Sequence, residues 1–259
     1  PYYTPIASNG VGNIGLTTSQ GDKAMAADKA KTAWRLSGAG VKIGVMSDSY
    51  NTKAGNPAAL DVINGDLPGS GNNNYPQPVI VSAEYPYGRA TDEGRAMLQI
   101  VHDVAPGATL EFRSGFISAG NFAEGIKQLR DDGCNIIVDD ITYLTEPFFT
   151  DGVVAKAVDN VTATGVQYFT SAGNFGNKSY EEVFRPIQAP ALFGNVMAHD
   201  FGAGNYYQTV SLVKGTYTIA MQWEDRFYSV GDETSGAQVD LDFYMVDQSG
   251  NKIFGFNRN

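Results

Sequence analysis

The sequence predicts an α/β protein: a three-layer parallel sheet with helices on both faces, followed by part of an antiparallel β-sandwich. Short strands apolar on both faces alternate with helices of 3.6-residue periodicity, as in a parallel sheet covered on each side. That rhythm runs from about residue 22 to residue 205. Beyond it the pattern becomes polar–apolar alternation with short turns, the signature of antiparallel strands.

Residues 1 to about 21, rich in Pro, Asn, Gly, Thr and Ser, read as an irregular arm. The first helix is expected after Asp22 as N-cap, with Met25, Ala26, Ala30, Ala33 and Trp34 on one face and a stop at Gly38–Gly40. Val41–Met46 is a buried strand ending in Ser47-Asp48-Ser49. A short helix over Pro57–Ile63 precedes a Gly/Asn/Pro-rich loop at 65–77, and Val79–Val81 is a strand. Thr91-Asp92 open a helix with Met97, Leu98, Val101 and Val104 on its apolar side. Thr109–Phe112 is a strand, and Asn121–Arg130 a helix with Phe122, Ile126 and Leu129 in line. Asn135–Ile141 is a strand running into Asp139 and Asp140, Asp151–Thr164 a helix, and Val166–Phe169 a strand feeding Ser171-Ala172-Gly173-Asn174. After residue 205, Tyr217, Ile219, Met221 and Trp223 alternate with polar residues, as do Val239, Leu241, Phe243 and Met245. The turn 247–251 and Ile253-Phe254 follow, so about four strands are expected, too few to close a sandwich. The domain boundaries expected are therefore 1–21, 22–205 and 206–259.

Composition narrows the function. The 259 residues, 42% hydrophobic, suffice for one large domain or for one medium domain and part of a second. No run approaches 18 uncharged apolar residues, so no membrane span is expected. Pro1 opens a polar stretch unlike a signal peptide, and any targeting segment is expected to have been removed. Few Lys and Arg, with many Gly, Asn and Tyr, suit a secreted protein. A net charge of −10 argues against binding nucleic acid by phosphate neutralisation. The single Cys134 excludes a disulfide scaffold and a multi-Cys zinc site.

Ligands of open parallel sheets bind beyond the carboxyl ends of the strands. Asp48, Glu93, Asp139, Asp140 and Asn174 all fall there. Each has an ordinary reading. Asp48 suits an Asx-turn, Asp92 and Glu93 suit a helix N-terminus, Asn174 suits a left-handed turn, and Asp139 and Asp140 suit solvated loop acids.

Together they form a recognisable series. The run from Gly40 to Ser49 resembles the strand that carries the catalytic Asp of subtilisin-like serine peptidases. Ser171-Ala172-Gly173-Asn174 resembles the segment that presents their oxyanion Asn, and Ala105-Pro106-Gly107-Ala108 a connection shared by subtilisins and sedolisins. Asp92-Glu93-Gly94-Arg95-Ala96-Met97 stands where subtilisins have a His-Gly-Thr helix start, with Glu93 in place of the His. Sedolisins have a catalytic Glu at that distance. The resemblance spans roughly residues 22 to 180 and implies an endopeptidase with Glu93 as general base, Asp48 as its partner and Asn174 as oxyanion donor.

Three departures stand out. No His takes the base position: His102 lies nine residues beyond Glu93, about 180° round the helix at roughly 100° per residue. It is expected near the helix C-terminus, where a cation is favoured, and His199 has no motif around it. Met97 stands where sedolisins have the Asp that pairs with Glu, which leaves Asp48 as the carboxylate expected to share a proton with Glu93. The oxyanion residue is Asn, as in subtilisins, where sedolisins use Asp. A further absence is the Gly-Thr-Ser that carries the nucleophile in both groups. The chain is therefore expected to be the N-terminal part of a larger peptidase, with the remaining C-terminal part of the same protein as its partner and a polypeptide as its substrate. Asp139 and Asp140, where Ser-Leu-Gly is usual in the cleft of subtilisins, imply a preference for basic side chains, a calcium site, or solvated acids. No cofactor is required. The competing reading is a subtilisin-like pseudo-peptidase that acts as a surface binding protein. A nucleotide-binding protein is a poor reading, because Ser-Asp-Ser-Tyr-Asn follows the first strand where a Gly-rich phosphate loop would stand.

Overall fold

The computed structural model describes residues 15–228 and 235–256. Five parallel strands make the central sheet: β1 (Lys42–Ser47), β2 (Ile80–Ala83), β3 (Thr109–Ser114), β4 (Ile136–Asp139) and β5 (Gln167–Thr170), in the order β2-β3-β1-β4-β5. Val45 on the middle strand pairs with Phe112 on one side and Val138 on the other. The helices are α1 (Gln20–Ala24), α2 (Ala27–Trp34), α3 (Pro57–Asn64), α4 (Glu93–Val104), α5 (Ala119–Asp131) and α6 (Val153–Thr162).

Alternation along β1 builds the two cores. Ile43 and Val45 pack with Leu67, Leu98, Leu110 and Phe112 on the α4 side. Met46 joins Phe122, Ile126, Leu129, Ile137 and Val161 on the side of α5 and α6. Each such fully buried aliphatic or aromatic side chain contributes about 1.5–3 kcal/mol. Between them, Gly44 lets β1 approach α5: a Cβ there would lie 2.9 Å from the nearer Leu129 methyl. The starts of α3 and α5 follow ordinary capping chemistry. Asn56 and Ser118 accept from Ala59 and Asn121, and Pro57 fills the first helical position of α3.

Gly94 sets the position of α4. A Cβ on it would overlap the Phe112 ring and sit 2.8 Å from the Ser49 carbonyl oxygen, which is backbone and cannot swing aside. Gly94→Ala is expected to push the first turn of α4 off the sheet and to cost about 1–3 kcal/mol, read as a lower urea midpoint.

The N-terminal helix differs from the expectation. Ser19, not Asp22, caps it, and the helix breaks at Met25–Ala26, where Ala26 has φ 58°. Asp22 is instead buried and pairs with Lys31 at 2.8 Å. Met25 and Trp34, expected on a buried face, are exposed. Residues 1–14 of the expected arm lie outside the described residues. The His102 expectation also changes. Its ring is fully buried, with both nitrogens lacking a hydrogen-bond partner, and packs edge-on to Tyr75 at 5.2 Å. Burial first, then Lys31, pushes its pKa down to about 4, so it is a neutral core residue and not a helix-terminal cation.

By packing, the described chain divides into two units: residues up to Ser171 together with those from Gln222 onward, and Ala172–Met221. These are divisions of another kind from the boundaries drawn from patterning. In the first unit, β8 (Phe243–Val246) and β9 (Lys252–Phe256) form an antiparallel pair, following β6 (Pro186–Gln188) and β7 (Met197–His199) of the second unit in chain order. Asp247 closes the turn by accepting from Ser249 and Asn251. The strand expected over 217–223 is not formed. Tyr217, Ile219 and Met221 are exposed, and among the described residues no strand pairs with them. Alternation alone does not make a ladder. In the second unit, β6 (Pro186–Gln188) pairs antiparallel with β7 (Met197–His199). His199 is a brace there. Its Nδ1 accepts the Arg185 N–H at 3.1 Å, which leaves the proton on Nε2, 3.0 Å from the Tyr180 hydroxyl.

Candidate active site

The carboxyl end of β1 delivers Asp48, whose carboxylate is almost fully occupied by donors. Its Oδ1 accepts the N–H of Ser49 at 2.5 Å and of Glu93 at 2.9 Å. Its Oδ2 accepts the N–H and the hydroxyl of Thr91, each at 2.6 Å. Burial opposes the charge, but the Thr91 hydroxyl and these backbone donors outweigh it and hold the carboxyl below its ordinary value. Asp48 therefore fixes the turn that starts α4. Its hydrogen bond to Glu93 goes to the backbone N–H, a different arrangement from the carboxyl–carboxyl contact expected from the sequence.

Asp92, the left-handed N-cap of α4 (φ 57°), turns its side chain away from the helix. Its Oδ1 accepts from Ser49 Oγ (3.0 Å), Thr52 N–H (2.8 Å) and Thr52 Oγ1 (2.7 Å). Its Oδ2 accepts from Lys53 N–H at 3.2 Å and faces Arg95 Nη2 at 3.5 Å. Desolvation raises its pKa, but the Thr52, Lys53 and Ser49 donors overcome that and bring it to about 2. Glu84 does similar work beside it, accepting from the N–H groups of Tyr50, Asn51 and Tyr85. Three acids thus organise residues 48–53 against the start of α4. Arg95 completes the frame through Asp61 and the Tyr50 carbonyl.

Glu93 is exposed at the first position of α4. Its carboxyl is raised first by the charge of Asp140, then by partial burial, by Asp48 and by a hydrogen bond with Asp140. Asp140 is raised as well, chiefly by burial, against the Ser47 hydroxyl and with help from Asp139 and Asp48. Its Oδ1 is buried without a hydrogen-bond donor. The negative charge of Asp140 therefore favours the protonated form of the Glu93 carboxyl. A carboxyl with a raised proton affinity is suited to accept a proton and return it.

The two acids at the end of β4 separate by pleat. Asp139 is 3% exposed and ties strand ends together, accepting from Thr170 Oγ1 at 3.1 Å and Ile141 N–H at 3.0 Å. Asp140 faces Glu93. Among the described residues no group of three or more His, Cys, Asp or Glu is arranged to hold a metal ion. Asn174 lies in the second unit, exposed, and the residue with positive φ there is Gly173 at 72°. The sequence reading passed over Asp92 and Glu84 as organisers, and took Asp140 for a cleft acid. Asp92 left one signal, a Ser49-x-x-Thr52 donor set beyond the first strand.

No family model matches the chain, and no curated protein matches it. Among solved structures it is similar to the prenylagaramide maturation protease PagA, at 16% identity and a TM-score of 0.43 over 66% of this chain and 56% of that one. It is also similar to the PatG macrocyclase in complex with peptide, at 13% identity and a TM-score of 0.36 over 58% of this chain and 56% of that one. The chain thus spans little more than half the length of either. Neither likeness assigns an activity, and the α/β class rests on the strand order and register above. Among the described residues no helix is long and apolar enough to cross a membrane.

Proposed function

We propose that the chain is part of a secreted serine endopeptidase of the subtilisin and sedolisin type, with Glu93 as general base and the nucleophilic serine supplied by sequence outside residues 1–259. The observation that carries this reading is the Glu93 carboxyl at the start of α4, beyond the carboxyl ends of a parallel sheet, its affinity for a proton raised chiefly by the charge of Asp140. The serine oxygen attacks the scissile carbonyl carbon as its proton passes to Glu93. The tetrahedral intermediate collapses, the C–N bond breaks, and Glu93 hands the proton to the leaving amine. Water then repeats the sequence on the acyl-enzyme. Asp140 holds Glu93 ready to accept near mildly acidic pH, and Asp48 fixes the backbone that carries it.

The resemblance gives Asn174 the oxyanion role, and that belongs to the same proposal. In a longer form of the protein, a fluorophosphonate probe is expected to label one serine beyond residue 259. Asn174→Ala is expected to lower kcat by about 10²–10³ with KM nearly unchanged, the usual effect of losing one oxyanion donor. No labelling and no peptide hydrolysis by the longer protein would instead favour the pseudo-peptidase reading, in which the same frame serves binding.

A further inference from the structure

Three aromatic side chains gather at the carboxyl ends of β2 and β3 that the proton-transfer scheme does not use. Tyr85 follows β2 and Phe116 follows β3, their ring centroids 6.2 Å apart. Tyr87 packs nearly perpendicular to Tyr85 at 5.6 Å. Tyr87 is 70% exposed and Phe116 56%, so these rings present open faces to solvent. Their backbone is nonetheless held firmly. The Tyr85 N–H donates to Glu84, which also accepts from Tyr50 and Asn51. The Phe116 N–H donates to Ser114 Oγ at 3.3 Å, and that hydroxyl donates to the Asp48 carbonyl at 2.7 Å. The Tyr143 hydroxyl donates to the Gly115 carbonyl at 2.6 Å. Both stems of the aromatic shelf are thus bonded to the segment from Asp48 to Asn51 that also fixes Glu93.

The chemistry of the shelf selects its occupant. Rings with open faces and edges accept another ring in offset or edge-on packing. Three rings match one or two side chains and fall far short of the roughly 800 Å² per partner of a stable protein interface. Their place beyond the strand ends is where such sheets bind ligands. We infer that Tyr85, Tyr87 and Phe116 form a subsite for an aromatic side chain of a polypeptide at the carboxyl ends of β2 and β3; the inference rests on the peptidase reading above.

The test is binding, which needs no nucleophile. Blocked tetrapeptides carrying one Phe at each position in turn, and the all-Ala parent, are titrated into the 259-residue chain while the aromatic ring resonances are followed. At least one Phe peptide is expected to bind tenfold or more tightly than the parent, shifting the signals of Tyr85, Tyr87 and Phe116. The exposed replacements Tyr87→Ala and Phe116→Ala are expected to remove most of that difference, with circular dichroism unchanged, while Glu93→Gln leaves it intact. Equal affinity for Phe and Ala peptides, or selectivity that survives the double replacement, overturns the subsite. Hydrolysis is scored separately in the longer protein. Aromatic-selective binding without hydrolysis sinks the peptidase reading and keeps the subsite. Hydrolysis without aromatic selectivity does the reverse.

Discussion

Asp92→Ala is expected to destabilise the first unit by about 3–5 kcal/mol, the largest loss from any single side chain near the site. The side chain of Asp92 is fully buried, and truncation leaves Thr52 N–H, Lys53 N–H and two hydroxyls without their acceptor. It also leaves Arg95 with Asp61 as its one remaining ion-pair partner. Asp92→Asn keeps the shape but turns an acceptor into a donor, and should cost less, about half as much. Urea unfolding of the two variants checks both the size and the order.

The pH dependence of stability follows from the same groups. Asp92 has a folded pKa of about 2 against an ordinary 3.8, so its contribution of about 2 kcal/mol is present above pH 3.8 and is lost as pH falls through 2. Asp48 is depressed too and acts in the same direction. At the far end of α4, two neighbours oppose each other. Buried Asp103 has a pKa of about 6, so its charge weakens the fold above pH 6 and that penalty disappears as pH falls toward 3.8. His102, at about 4 against 6.5, stabilises above pH 6.5 and loses that contribution as pH falls toward 4. Each amounts to about 3 kcal/mol with opposite sign, so these two contributions are expected largely to cancel between pH 7 and 4. In Asp103→Asn the compensation is gone. That variant is expected to be more stable than the parent at pH 7 and to lose stability steadily toward pH 4.

Glu93→Gln in the longer protein is the second large effect, an expected loss of about 10²–10⁴ in kcat with little change in stability. An exposed amide keeps the size of the side chain but cannot take a proton. Asp140→Asn should act differently. It removes the leading cause of Glu93's raised pKa, so the base limb of the kcat/KM profile should move to lower pH with substantial activity retained. A role for Asp140 confined to holding β4 would lower activity at every pH without moving that limb.

The middle of the sheet was legible because β1 and β3 bury nearly every residue: Val45, Met46, Leu110 and Phe112 have almost no exposure, whereas the edge strands β2 and β5 are largely exposed. The helix α5 was equally plain, since Phe122, Ile126 and Leu129 recur at helical spacing and are all buried. What escaped the sequence was non-local or conformational. The break between α1 and α2 rests on a left-handed Ala26, which no residue type announces. The partner of Glu93 was sought along its own helix and on β1, whereas Asp140 comes from β4, which pairs beside β1. Which of Asp139 and Asp140 faces inward depends on the pleat of β4, and two adjacent acids look alike in sequence. The alternating stretch at 217–223 failed for a related reason: the pattern was present, and among the described residues no strand pairs with it.

The central claim is that Asp140 raises the proton affinity of Glu93. Carbon-13 NMR titration of the Glu93 carboxyl in the 259-residue chain tests it most directly. Glu93 should titrate above its ordinary value of 4.5, and Asp140→Asn should return it toward that value. A Glu93 carboxyl that titrates at the ordinary value, and does not move when Asp140 is replaced, would contradict the account.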